Sequence, residues 1–119
     1  AAPVVADLQL AAARALVGLG RSPEAVPRLE RAIGLWTGAV SHDMHSFPRY
    51  GLARAQSALA EVLWAQAEAP GAVDVAATRT RALGLLAAVE GFYRAAGAGY
   101  EGRLAALASW RAAHGAAGG

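Results

Sequence analysis

The hexapeptide SHDMHS, which begins at Ser41, concentrates the side chain types that most often carry catalysis or metal binding. Ser41, His42 and Asp43 are adjacent, whereas the members of a nucleophilic triad converge from separated positions of a chain. His42 and His45 with Asp43 could supply part of a zinc site, but zinc needs three or four converging ligands. His114 is the one histidine outside this segment. We therefore interpret the hexapeptide as a solvated loop, and the sequence predicts no catalytic residue, no metal ligand and no cofactor.

The composition removes several other kinds of chemistry. The 119 residues include no cysteine, and all eleven basic residues are arginine. Without cysteine there is no disulfide or thiolate nucleophile, and without lysine there is neither a Walker-type phosphate loop nor a Schiff base. The net charge is only +2, and its arginines are scattered, several of them one helical turn after an acid. This pattern does not indicate a nucleic-acid partner.

Length and apolar content predict one soluble all-α domain. Apolar residues make up 55% of the chain, and they are mostly Ala, Leu and Val, which suit closely packed helices better than a sheet. No uncharged apolar run reaches the roughly 18 residues of a membrane span. A cytoplasmic location is expected. Because the sequence opens with AAPVVADLQ, without an initiator Met or a basic leader, we expect it to be a piece of a longer protein.

Glycine and proline residues divide the chain into five predicted helices. Ser22, Pro23 and Glu24 form a helix start signal: a capping hydroxyl, a ring that presets φ, and an acid facing the helix dipole. Predicted helices cover about 4–19, 22–36, 48–66, 73–96 and 100–114, with a long loop at 37–47 and a flexible tail at 115–119.

Apolar residues at helical spacing indicate which face of each helix meets the core. The first helix has so many of them that we expect it to be buried on more than one side. The predicted core positions are Val5, Leu8, Ala12, Leu16 and Leu19, extended by Leu10 and Val17; Ala25, Leu29, Ala32 and Trp36; Leu52, Ala55, Leu59 and Val62 or Leu63; Ala82, Leu85 or Leu86, Val89 and Phe92; and Leu104, Leu107, Trp110 and His114.

The segment ARALVGLGRSPEAVPRLERAIGL, which begins at Ala13, resembles the latter two-thirds of a tetratricopeptide repeat (TPR). The resemblance places Ala25 and Ala32 on the small positions of the second helix, Leu29 on its large apolar position and Gly20 at the turn. LARAQSALAEVLWAQ and RALGLLAAVEGFYRAAG look like a second repeat with a longer turn, and the last helix is similar to the cap that ends such arrays.

Two features depart from the family. Glutamine, as Gln9 and Gln56, stands where the first helix of a repeat usually carries an aromatic residue, and no proline closes the first repeat after Leu35. The whole arrangement also resembles the C-terminal tails of bacterial eukaryote-like serine/threonine kinases and related signalling proteins. The implied fold is a short right-handed solenoid of two antiparallel hairpins, with repeat one at 4–36, repeat two at 48–96 and a capping helix at 100–114.

The resemblance implies a non-enzymatic protein-interaction or regulatory module that binds a peptide or protein on its concave surface. In this family that surface is lined by the first helix of each repeat. Carried over by position, the peptide-binding residues are Asp7, Leu10, Arg14, Val17, Arg54, Ser57, Glu61 and Trp64.

Spacing supports the second half of this set, because Arg54, Ser57, Glu61, Trp64 and Glu68 share one helix face. Two interpretations of Trp64 remain open: it packs under the fourth helix or the long loop, or it anchors a ligand. Two alternatives for the whole chain also remain: a small metal-dependent or acid–base enzyme on a helical bundle, or a structural spacer without a ligand. With so few repeats, the module could also self-associate or stack on neighbouring repeats.

Overall fold

Helices form all the regular structure of the part of the chain that the computed structural model describes, residues 2–42, 46–97 and 99–115. The all-α prediction is confirmed for these residues. None of these helices is both long and apolar enough to cross a membrane. The elements are α1 (Ala2–Gly18), α2 (Ser22–His42), α3 (Ser46–Glu68), α4 (Val75–Ala96), α5 (Glu101–Trp110) and a π-helical turn (Arg111–Gly115).

The turn between α1 and α2 forms as its residues predict. Gly20 adopts a φ of 75°, which glycine tolerates without steric cost. Its amide donates to the Val17 carbonyl at 3.0 Å and the next amide, of Arg21, donates to the Leu16 carbonyl at 2.8 Å. These two hydrogen bonds make a Schellman motif, which satisfies the last carbonyls of α1. Because only three residues separate the two helices, α2 returns antiparallel to α1.

The start of α2 carries the charge that its dipole favours. Glu24 lies in the first turn and forms an ion pair with Arg21. The hydrogen bond from Arg21 lowers the pKa of Glu24, because it stabilises the carboxylate form. Pro27 is accommodated inside the same helix.

The predicted end of α2 at Trp36 is wrong, since the helix continues to His42. The predicted loop 37–47 is therefore helical at 37–42 and again at 46–47, while 43–45 lie outside the described residues. Ala39 explains the extension: it follows Trp36 by three residues and packs against the cluster that contains Trp36. The apolar repeat of α2 continues past the glycine at Gly38, which does not interrupt the helix.

The core lies between the first four helices, in clusters that join α1, α2 and α3 and that join α3 and α4. Consecutive helices pack on one another, most extensively α1 with α2 and α3 with α4, and α1 also touches α3. This order is consistent with two stacked helical hairpins. Ala25 and Ala32 are 0% exposed, so the small positions predicted for α2 are the places where other helices approach it. Leu29 and Trp36, on the same face, are also fully buried.

For α1 most of the predicted core positions are wrong, although Leu10 is buried as predicted. Its buried residues are Ala6, Leu10 and Ala13, whereas Leu8 is 64% exposed and Leu19, just after the helix, 70% exposed. Val5 is also exposed, and Ala12 and Leu16 are half-buried, so the helix is not buried on more than one side. Apolar residues surround α1 almost completely, and the apolar pattern alone therefore could not select the face that packs.

In the later helices the predicted stripes are mostly correct. Both Val62 and Leu63 are buried in α3. In α4 the buried leucine is Leu86 rather than Leu85, and Tyr93 is buried while Phe92 is only half-buried.

The fifth helix packs less tightly than the other four. Leu104, Leu107 and Trp110 are half-buried, and the predicted core residue His114 is exposed. The His114 ring instead stacks on Trp110, with ring centroids 4.6 Å apart. Of the predicted tail, Gly115 belongs to the π-helical turn and 116–119 lie outside the described residues.

Candidate binding groove

A groove runs along the exposed face of α3 and consists of two clefts that share one residue, Glu61. One cleft, of about 180 Å³, lies towards α1 and is lined by Arg14 and Val17. The other, of about 330 Å³, lies towards α5 and is lined by Ser57 and Arg103. We call the surface formed by these five residues the α3 groove.

Glu61 is the electrostatic centre of the α3 groove. Partial burial between the cleft walls raises the pKa of its carboxyl, and the positive charge of Arg14 counteracts part of that increase. The side chain is nevertheless exposed over more than a third of its surface, so its desolvation is incomplete. A carboxyl in this setting is poised to accept hydrogen bonds from a bound polar group.

Arg103 of the groove and a second arginine, Arg54, both contact the ring of Tyr50. The guanidinium carbons of Arg54 and Arg103 lie 5.8 Å and 5.1 Å from the centroid of the Tyr50 ring, within cation–π range. Arg54 also approaches Asp7 of α1, with 3.9 Å between guanidinium and carboxylate. The Tyr50 ring in turn lies 6.2 Å from that of Tyr100. These contacts hold cationic groups from α3 and α5 at one side of the groove.

Six of the eight residues predicted to bind a peptide lie on accessible surface. They are Asp7, Arg14, Val17, Arg54, Ser57 and Glu61. The structure pairs Asp7 with Arg54 and brings Arg14 into the field of Glu61. The two others, Leu10 and Trp64, are only 3% and 5% exposed, so the assignment of these two to the ligand surface needs correction.

Trp64 is a packing residue. Its ring meets that of Trp110 edge to face, with centroids 5.3 Å apart and an interplanar angle of 75°. The guanidinium carbon of Arg79, from α4, lies 5.0 Å from its centroid. Of the two interpretations left open, burial under a neighbouring helix is therefore correct, and α5 contributes to that cover together with α4.

The sequence did not indicate that α5 contributes to the groove, because the resemblance assigns this helix the role of a cap. In the structure, Arg103, Leu107 and Trp110 of α5 line the larger cleft. A usable signal was present, because the apolar stripe of α5 requires a surface to pack on. The Trp that stands on the otherwise polar face of α3 marks that surface.

In the part of the chain that the structure describes, no group of three His, Asp or Glu residues lies close enough together to hold a metal ion. The side chains of His42, Asp43 and His45 lie outside the described residues, so the interpretation of their segment as a solvated loop stays a prediction. The third histidine, His114, places its Nδ1 3.0 Å from the Trp110 carbonyl oxygen.

Comparison of the chain with protein-family models, curated proteins and solved structures finds no match. The resemblance to the TPR family therefore depends on the residues quoted above, and any functional assignment depends on the groove itself.

Proposed function

We propose that this chain is a non-enzymatic, TPR-like interaction module, a short right-handed solenoid that binds a peptide along the α3 groove. The observation that carries the proposal is the groove formed on α3 by its two clefts. Its walls come from α1 and α3, which are the first helices of the two hairpins, and from α5. Such concave surfaces with apolar walls and a few convergent polar groups are the usual form of binding sites.

The side chains around the groove favour a peptide that carries acidic and apolar residues. Arg14, Arg54 and Arg103 outnumber the acids Asp7 and Glu61, and Arg54 is already paired with Asp7. Of the other two, Arg14 lies in the field of Glu61 and Arg103 lies against the Tyr50 ring; both guanidinium groups are placed to bind a carboxylate of the peptide. Apolar contact comes from Val17 and from Leu107, since Trp64 is covered by its neighbours.

Catalysis is a weaker assignment for the same surface. General acid–base catalysis by two carboxyls needs both within reach of one substrate. Among the residues described as lining the two clefts, Glu61 is the only acid. A raised pKa on one accessible carboxyl fits a binding role equally well.

Peptide selection tests the proposal directly. Random peptides displayed on phage are selected on the immobilised protein, and the enriched sequences are synthesised and titrated by fluorescence polarisation. We expect enriched sequences with acidic and apolar positions, and we expect Arg14→Glu to weaken their binding by at least about tenfold, as loss of an interface arginine often does.

Arg31→Glu is the matched control, because Arg31 is an exposed arginine that lines a different surface of α1 and α2, together with Gln9 and Arg28. Circular dichroism establishes that both variants are folded. Equal binding by the two variants would move the site away from the α3 groove, and failure to enrich any sequence would favour a spacer without a ligand.

A further inference from the structure

The smaller cleft of the α3 groove is bounded by three helices and has a buried apolar floor. Residues of α1, of α3 and of the first half of α2 line it. The floor is formed by Ala13, Leu29 and Val62, which are only 1%, 1% and 7% exposed. All three belong to the same core cluster. The cleft therefore reaches the core of the fold, unlike a shallow depression of the surface.

Two alanines of α3 keep this cleft open. Ala58 and Ala65 both line it, and they lie about two helical turns apart on one side of the helix. Ala58 packs partly buried against the core cluster, and Ala65 is exposed. Protein interiors are normally filled to the density of organic crystals, yet α1 packs far less on α3 than on α2. A leucine at either alanine would fill much of the space between α1 and α3.

The size of the smaller cleft matches one large apolar side chain. Its volume is about 180 Å³, and an apolar cavity of about 150 Å³ accommodates one benzene molecule. The cleft therefore has room for one phenylalanine, leucine or methionine side chain, and not for two. The charged residues that line it, Arg14 and Glu61, are exposed, so they lie at the rim and leave the floor apolar.

We propose that the smaller cleft holds a single large apolar side chain of the bound peptide, and that Ala58 and Ala65 determine which side chains enter. The inference rests on the proposed function and adds its specificity. The rim makes a peptide the complementary occupant, because Arg14 suits an acidic residue beside the apolar one and Glu61 suits a hydrogen-bond donor of the peptide. A free apolar molecule of the same size has neither group.

Ala58→Leu tests whether the peptide uses the smaller cleft. The probe is the most enriched peptide of the phage selection described above, titrated by fluorescence polarisation. Leucine at position 58 should weaken its binding at least about tenfold, because the new side chain occupies the space of the peptide's apolar residue. The same change should raise the midpoint of urea denaturation, since it fills a gap at little cost in helix propensity. A packing gap without a function would give the higher midpoint and unchanged binding.

Alanine substitution in the probe peptide identifies the residue that enters the cleft. Each apolar residue of the peptide is replaced by alanine in turn, and one of these replacements should weaken binding to the parent protein at least about tenfold. With the Ala58→Leu protein the same replacement should have little further effect, because that side chain no longer enters the cleft. Such a dependence of one substitution on the other shows that the two side chains occupy the same place.

Ala87→Leu is the matched control, because Ala87 is an exposed alanine of α4 that lines neither cleft, and this variant should bind as the parent does. Circular dichroism establishes that each variant is folded, and Ala65→Leu takes the place of Ala58→Leu if the latter does not fold. Binding as tight as that of the parent by the leucine variant overturns this inference and leaves the proposed function in place. A selection that enriches no peptide overturns both.

Discussion

The crossing of α2 and α3 depends on a glycine that meets a tryptophan ring. Gly51 is buried in α3, and a methyl group added to its α-carbon would lie 2.5 Å from Cζ2 and 2.6 Å from Cδ2 of Trp36. Ordinary contacts of this kind begin near 3.4 Å. The Trp36 ring is only 1% exposed, so it is enclosed on its other sides and has no free space into which to withdraw.

Gly51→Ala should therefore destabilise the protein, although alanine is normally the better helix former. Overpacking of a filled core costs about 1–3 kcal/mol, and the rigidity of an enclosed indole favours the upper part of that range. The gain in helix propensity returns at most about 1 kcal/mol. The expected net loss is about 1–2 kcal/mol, measured as a lower midpoint in urea denaturation followed by circular dichroism.

Gly34→Ala in α2 and Gly84→Ala in α4 are the matched controls. Both glycines are exposed, and a methyl group at either meets nothing within 4 Å. Each control should gain roughly 0.5–1 kcal/mol from helix propensity alone. If Gly51→Ala stabilised the protein as much as the controls do, α2 and α3 would not cross at this point and the reasoning would be refuted.

Two further predictions concern residues at the centre of the fold and of the groove. Ala25→Leu should lower the free energy of unfolding by about 1–3 kcal/mol in the same denaturation assay. Ala25 is 0% exposed, and the larger side chain would overpack the place where α2 meets its neighbours. An unchanged free energy of unfolding would place Ala25 on the surface. Glu61→Gln should raise the melting temperature slightly at pH 7, and the gain should vanish below about pH 4. The fold raises the pKa of Glu61, so the native state favours the protonated carboxyl. The stabilisation that this gives is fully present below the pKa of Glu61 in the unfolded chain. It is lost as the pH rises through the pKa of Glu61 in the folded protein. A parent protein that is more stable than the glutamine variant at pH 7 would contradict this sign.

The sequence was sufficient to predict the helices whose packing face is narrow. In α2 a strip of small and large apolar residues is flanked by charges such as Glu30 and Arg31, so only one face can be buried, and Ala25 and Leu29 are buried as expected. The same strip also contained the signal for the longer helix. That signal is weak, because the segment from Thr37 to Pro48 as a whole has no helical period of apolar residues.

The remaining errors have a physical cause in common, which is that burial depends on the neighbours of a residue. α1 is apolar on most sides, and the positions of α2 and α3 decide that Leu10 is buried while Leu8 is exposed. For Trp64, the polar spacing of α3 correctly located the groove face, but α5 covers this one residue of that face. Six of the eight predicted residues remain accessible, and of these Ser57 and Glu61 line the cleft that α5 borders without being covered by it.

The weak attachment of α5 has a consequence for what the groove can accept. None of the residues of α5 is fully buried, and contacts such as Trp110 on Trp64 and the ion pair between Arg111 and Glu90 hold this end of the chain to the body. Segments with few buried contacts open at a fraction of the free energy of global unfolding. We therefore expect this wall of the groove to open at a lower free energy than the rest of the fold, which would change the width of the groove. A bulky ligand could displace α5 and occupy the surface of Trp64, so the affinity for such a ligand would be reduced by the free energy that docks α5.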